Sequence, residues 1–200
     1  MKTKPLRSSQ EPSSRKKLFL PLFLGGIMIL STFAIIFSGP SETPQPSYTY
    51  KDISFRLTAR GWESTIQGQP VTLRYGPQEL ETLSSQFSFS SATFLLSLQK
   101  IYLSTLPNEP FQEAARELYA QNTFLPSLSL ACLEDVAGCE SLPLKTCQDA
   151  TAAAGVVVFR VQEPEQITVK ETCVTLQAPT ATRLTQMSDT LLYTLYGVFP

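Results

Sequence analysis

The sequence predicts an α+β protein: an N-terminal transmembrane helix followed by a mostly β external domain with two amphipathic helices. Three observations predict it. Residues 18–38 (LFLPLFLGGIMILSTFAIIFS) carry no charge. From residue 53 onward, short segments alternate apolar and polar side chains, as half-buried strands do. Four cysteines, all between residues 132 and 173, provide the even count of a disulfide-stapled external domain.

The chain begins with a basic tail. Residues 1–17 hold six Lys or Arg and one Glu, whereas residues 39–200 hold ten Lys or Arg and sixteen Asp or Glu. The 21 uncharged residues between them would span about 31 Å as a helix, close to the thickness of the hydrocarbon core. Pro21 falls in the first turn, where its missing N–H costs little. The positive cluster ends at Lys17, directly before the span. The positive-inside rule then places the N-terminus in the cytoplasm and residues 39–200 outside the cell membrane. The run is long for a signal peptide, and no A-x-A-like cleavage site follows it. The expected organisation is a basic cytoplasmic tail (1–17), a single-pass signal-anchor (18–38), a Pro-rich stalk (39–50, GPSETPQPSYTY) and an extracytoplasmic domain (51–200). The lipid bilayer is thus an expected partner through residues 18–38.

The external domain opens on alternation. Ile53, Phe55 and Leu57 share one face; Trp62, Ser64 and Ile66 follow Gly61; Val71, Leu73 and Tyr75 follow Gly68. This predicts a three-strand meander with turns at Arg60-Gly61 and Gly68-Gln69, ended by Gly76-Pro77. Residues 84–106, rich in Ser and Phe, read as two further strands. Pro110 opens a helix capped by Asn108 or Glu109, with Phe111, Ala115, Leu118 and Tyr119 on one face. Residues 127–133 (SLSLACL) return as a strand, so that 100–106, the helix and this strand form a βαβ crossover. Gly155–Val161 is apolar on both faces at its start, the mark of a central strand. In residues 167–178 the alternation changes phase near Lys170-Glu171, which predicts a tight turn or a bulge. A last helix runs from about Thr180 to Tyr196, with Leu184, Met187, Leu191, Leu192 and Leu195 on one face and Gly197 at its C-terminus.

Four cysteines allow three pairings. The favoured one joins Cys132 to Cys139 as a local loop and Cys147 to Cys173 across the central strand. No C-x-x-C knuckle is present for zinc or thiol–disulfide exchange, so neither a metal nor any other cofactor is expected.

The composition restricts the chemistry. The chain has no His, which removes Ser-His-Asp, Cys-His and His-zinc sites from it. Ser97-Leu-Gln-Lys100 matches the S-x-x-K nucleophile motif, but the accompanying S-D-N and K-T-G elements are missing. Glu79 and Glu81, and Glu134 and Asp135, are the nearest acid pairs, and both sit where turns face solvent. The acidic external domain has no basic stripe for nucleic acid. Trp62 and Tyr75, with Tyr48 and Tyr50, are the candidate binding residues, weighed against simple packing of the meander. No catalytic residue is assigned. The expected function is a binding or structural envelope protein without catalysis, whose partner is another envelope or surface protein; the alternative is an envelope-polymer hydrolase using Ser and Lys or paired carboxylates.

Gly61-Trp62, Tyr75-Gly76-Pro77-Gln78-Glu79-Leu80-Glu81, Cys132, Cys139, Lys145-Thr146-Cys147, Cys173-Val174, Asp189, Leu192-Tyr193 and Tyr196-Gly197-Val198 form a pattern. It resembles that of small single-pass membrane-anchored proteins of uncultivated, small-genome archaea. The resemblance covers most of residues 51–199. It implies the same topology and paired cysteines, and no particular activity. Where those proteins often have a Gly-Asn turn before the final Cys, this chain has Glu171-Thr172.

Overall fold

In the computed structural model, residues 23–29, 46–107, 112–120 and 124–200 are described. The chain divides into two units, Met1–Pro44 and Gln45–Pro200. Of the first unit only 23–29 is described. It is helical (α1), and Phe23, Leu24, Ile27, Met28 and Ile29 are exposed. Among the described residues no helix is long and apolar enough to cross a membrane. The basic tail, most of the expected span and the start of the stalk lie outside the described residues.

The second unit is a mixed α+β domain with two sheets. The first has four antiparallel strands in sequence order: β1 (Ser47–Tyr50), β2 (Ile53–Thr58), β3 (Gly61–Ile66) and β4 (Gln69–Leu73). The last three are the expected meander. β1 occupies the end of the segment assigned to the stalk and pairs Tyr48 with Phe55 and Tyr50 with Ile53. The turns need left-handed backbone, which Lys51, Asp52, Gln67 and Gly68 adopt. At Gly61 (φ +131°) a Cβ would lie 2.4 Å from the Leu73 carbonyl oxygen, so only glycine fits there.

The second sheet has five strands in the order β6-β5-β7-β9-β8: β5 (Lys100–Thr105), β6 (Ser127–Cys132), β7 (Ala154–Val161), β8 (Gln166–Lys170) and β9 (Cys173–Ala178). The pairs β5–β6, β5–β7 and β7–β9 are parallel, and β8–β9 is antiparallel. β5, α3 (Gln112–Ala120) and β6 form the expected crossover. The caps expected at Asn108 or Glu109 and the start at Pro110 lie outside the described residues. β7 is central, with Gly155 to Phe159 buried. The phase change near Lys170 is a tight hairpin, with Glu171 at φ +52°.

Residues 84–106 depart from expectation. Only β5 is a strand; Pro77–Gln86 is an α-helix (α2) and Phe89–Ser97 a 3-10 helix. The reason is local. Pro77 takes the first helical position, and the Glu79 carboxylate returns to the Gly76 amide at 2.9 Å, so α2 starts where the meander stops. In the 3-10 segment Phe89, Ala92 and Leu95 face the core at threefold spacing. The domain therefore has more helix than the two amphipathic segments anticipated.

α4 (Ala181–Leu195) is capped by Thr180, whose hydroxyl accepts from the Arg183 amide. It was expected to be amphipathic, but Leu184 and every residue from Met187 to Leu195 are buried. The buried serine and threonines are satisfied within the fold. Thr185, Thr190 and Thr194 donate to carbonyls one turn back (Ala181, Gln186 and Thr190), and Ser188 donates to Ala114 of α3. The helix joins the two sheets. Leu184, Met187 and Leu191 belong to the core that includes Ile101, Leu103, Val157 and Leu176 of the second sheet. Tyr193 packs edge-on against Phe55 of the first sheet, with ring centroids 5.9 Å apart.

Candidate functional site

The two faces of the second sheet differ. Ile101, Leu103, Val157, Phe159, Val174 and Leu176 point into the main core with the helices. The opposite face carries a small apolar cluster of Val156, Val158, Leu133 and Cys173. The chain between β6 and β7 lies over this face and is fastened there. Cys132 pairs with Cys139 and Cys147 with Cys173, the favoured pairing, and neither bond leaves a free thiol. The Cys132 amide donates to the Pro143 carbonyl, and the Lys145 amide donates to the Cys132 carbonyl, both at 2.9 Å. The Thr146 amide and hydroxyl both donate to Asp149, which closes a short 3-10 turn, Cys147–Asp149. Those two bonds hold the Asp149 carboxyl below its ordinary range.

Beside this fastened segment lies a groove of about 500 Å³. The strand register builds its floor. Val158 aligns with Thr175, which aligns with Thr168; Arg160 aligns with Gln177, which aligns with Gln166. Thr146, Cys147 and Gln148 form one wall. A smaller cleft of about 200 Å³, lined by Leu106, Leu133, Glu134 and residues 159–162, adjoins it at Arg160 and Leu133. Arg160 is the second-last residue of β7, and Gln177 is the second-last of β9. The groove thus lies on the face of the sheet, across β7, β9 and the edge strand β8.

Arg160 is the only charged group lining the larger groove, and it is exposed. Among the described residues, the ion pairs involve Arg56, Arg60, Arg74, Lys145 and Arg183, and none involves Arg160. Gln177 is 6% exposed; its amide donates to the Pro164 carbonyl at 2.8 Å and its oxygen faces Gln166 at 3.4 Å. The Thr175 hydroxyl donates to the Cys147 sulfur at 3.6 Å. The floor therefore keeps the Arg160 guanidinium and the Thr168 hydroxyl available to a visitor.

The residues singled out from sequence fall elsewhere. Trp62 and Tyr75 are half-buried in the packing around the first sheet rather than in a cavity. Trp62 packs edge-on to Tyr48 at 4.7 Å and donates from Nε1 to Glu79 at 2.8 Å. The Tyr75 amide donates to Asp189, and its carbonyl accepts from the Tyr193 hydroxyl. Glu79 is occupied with these duties, and the phenol of Tyr50 bonds Glu81; burial and that bond push the Tyr50 pKa up to about 12. Ser97 donates to the Phe94 carbonyl, while the Lys100 amine sits over the Tyr102 ring, so the S-x-x-K pair does not form a hydrogen bond. Among the described residues no group of His, Cys, Asp and Glu could hold a metal ion.

Two features escaped the sequence reading. Arg160 announced itself only as a lone charge at the end of an apolar strand. Asp189 is fully buried in α4; burial, then the facing Glu117, push its carboxyl well above the ordinary range, against the pull of the Tyr75 and Arg74 amides. No protein-family model matches the chain, and no curated protein or solved structure does either.

Proposed function

We propose that the chain is a single-pass membrane protein whose residues 46–200 form an extracytoplasmic binding module without catalysis, and that the groove on the second sheet is its binding surface for another envelope or surface protein. The observation that carries this reading is the groove itself. The Cys147–Cys173 disulfide fixes one wall, and the floor offers an arginine and the Thr168 hydroxyl, which the fold does not consume. The oxidised cysteines favour a compartment outside the cytoplasm. The charge step from a basic tail through an uncharged run to an acidic domain favours the same topology, as do the exposed apolar side chains of α1.

The test is chemical crosslinking in intact cells expressing the tagged chain, followed by capture from solubilised membranes. The reading predicts a discrete crosslinked partner that is lost when Thr168→Arg fills the groove. Recovery of the chain alone, or of the same partner with the filled groove, would contradict it.

A further inference from the structure

The geometry points to Arg160 as the anchor for a carboxylate that the partner inserts into the groove. This rests on the reading of the groove as a binding surface and adds what the surface recognises. A guanidinium presents its donors in a planar fork that matches both oxygens of a carboxylate. Among the described residues the fork has no ion-pair partner, although the domain around it is acidic. The surface arginines of the first sheet make a contrast: Arg56 and Arg60 both reach Glu63 at 3.5 Å and are already answered.

The groove around Arg160 is polar but carries no second cation. Thr168, Thr175 and Gln148 line it, with Val158 as an apolar floor. One charge with neutral donors suits a singly charged planar group better than a phosphate, which draws several cations. No aromatic face lies in the groove, so nothing there stacks a sugar ring. A carboxylate from a protein partner, either an acidic side chain or a chain end, meets these requirements. Glu134 lines the adjoining cleft and forms no ion pair with Arg160. It gives the groove a negative margin that a partner must avoid, and this sets the direction of approach.

The experiment uses the full chain in detergent micelles and follows the Arg160 Nε–Hε signal by NMR. Sodium acetate, sodium phosphate and sodium chloride are titrated at constant ionic strength. The expected result is a saturable acetate shift at Arg160 and at the Thr168 and Thr175 amides, weaker with phosphate and absent with chloride. Arg56 and Arg60 should not follow it, and Arg160→Gln should abolish the Thr168 and Thr175 shifts while leaving the rest of the spectrum in place. No saturable acetate shift at Arg160, an equal one at Arg56 and Arg60, or a preference for phosphate would overturn the proposal. Crosslinking with R160Q separates the two readings. Loss of the crosslinked partner supports the carboxylate anchor. Retention of it in R160Q but not in T168R overturns the anchor while leaving the binding module intact.

Discussion

The Tyr75 amide donates to the Asp189 carboxylate at 2.9 Å across 114 residues of sequence. The bond ties the junction between β4 and α2 to the middle of α4. Asp189 is 0% exposed, its second oxygen finds no hydrogen-bond partner among the described residues, and it faces Glu117. A carboxyl so placed keeps its proton in the folded state far more readily than in the unfolded chain.

The sign of the pH dependence follows. A carboxyl whose folded pKa is raised contributes stability that is complete below its unfolded value of about 4. That contribution is lost as pH rises toward the folded pKa. Asp189→Asn keeps an acceptor for Tyr75 and gives Glu117 a permanent donor. The melting temperature of D189N should therefore exceed that of the wild type at pH 7, with the gap closing as pH falls to about 4. Thermal melts of both proteins across this range check it. Asp149 and Glu140 have lowered pKa values and act in the opposite sense, but they are common to both proteins and cancel in the difference.

The two disulfides should differ in reactivity and in weight. Cys132 and Cys139 are buried at 1% and 3% exposure, whereas Cys147 is exposed at the groove wall. Limited reduction of the folded domain should free Cys147 and Cys173 first, as read by alkylation and peptide mass mapping. The sequence separations are 7 and 26. Loop-closure entropy then assigns the longer bridge about 3.5 kcal/mol and the shorter about 2.5 kcal/mol. Denaturant unfolding of the paired Cys→Ser variants should rank them in that order.

Glu79 receives both the Gly76 amide and the Trp62 indole. Glu79→Ala removes the N-terminal brace of α2 and should cost about 1 kcal/mol. Trp62 is the only tryptophan in the chain, so its fluorescence reports the site directly. The emission of E79A should shift as the indole loses its acceptor, and an unchanged spectrum would contradict the arrangement.

Gly155 sits where β7 meets the end of the 3-10 segment. A Cβ there would come within 2.4 Å of Leu98 and 3.0 Å of the Thr172 carbonyl oxygen. Gly155→Ala should destabilise the domain by about 1–3 kcal/mol through overpacking. Chemical denaturation checks it, with Gly68→Ala as a comparison at a site with open space but positive φ.

The sequence made some elements legible and hid others for physical reasons. The meander was readable because Phe55, Ile66, Val71 and Leu73 alternate with polar neighbours around turn residues. The crossover and the central strand followed from the length and apolarity of their segments. α2 was hidden because Phe87 and Phe89 are two residues apart, as in a strand, although they flank a break between two helical segments. The full burial of α4 was hidden because its threonines look solvent-facing until their hydroxyls are seen to bond their own helix. Arg160 and Asp189 depend on strand register and on helix packing across more than 100 residues, which no local pattern encodes.

The most direct test of the account is the state of the four cysteines in the chain recovered from carbonate-washed membranes, with thiols blocked at lysis and the peptides mapped by mass spectrometry. The account predicts that the chain stays with the washed membranes and that no cysteine is blocked, with links Cys132–Cys139 and Cys147–Cys173. A chain released by the wash, or one carrying four blocked thiols, would contradict it.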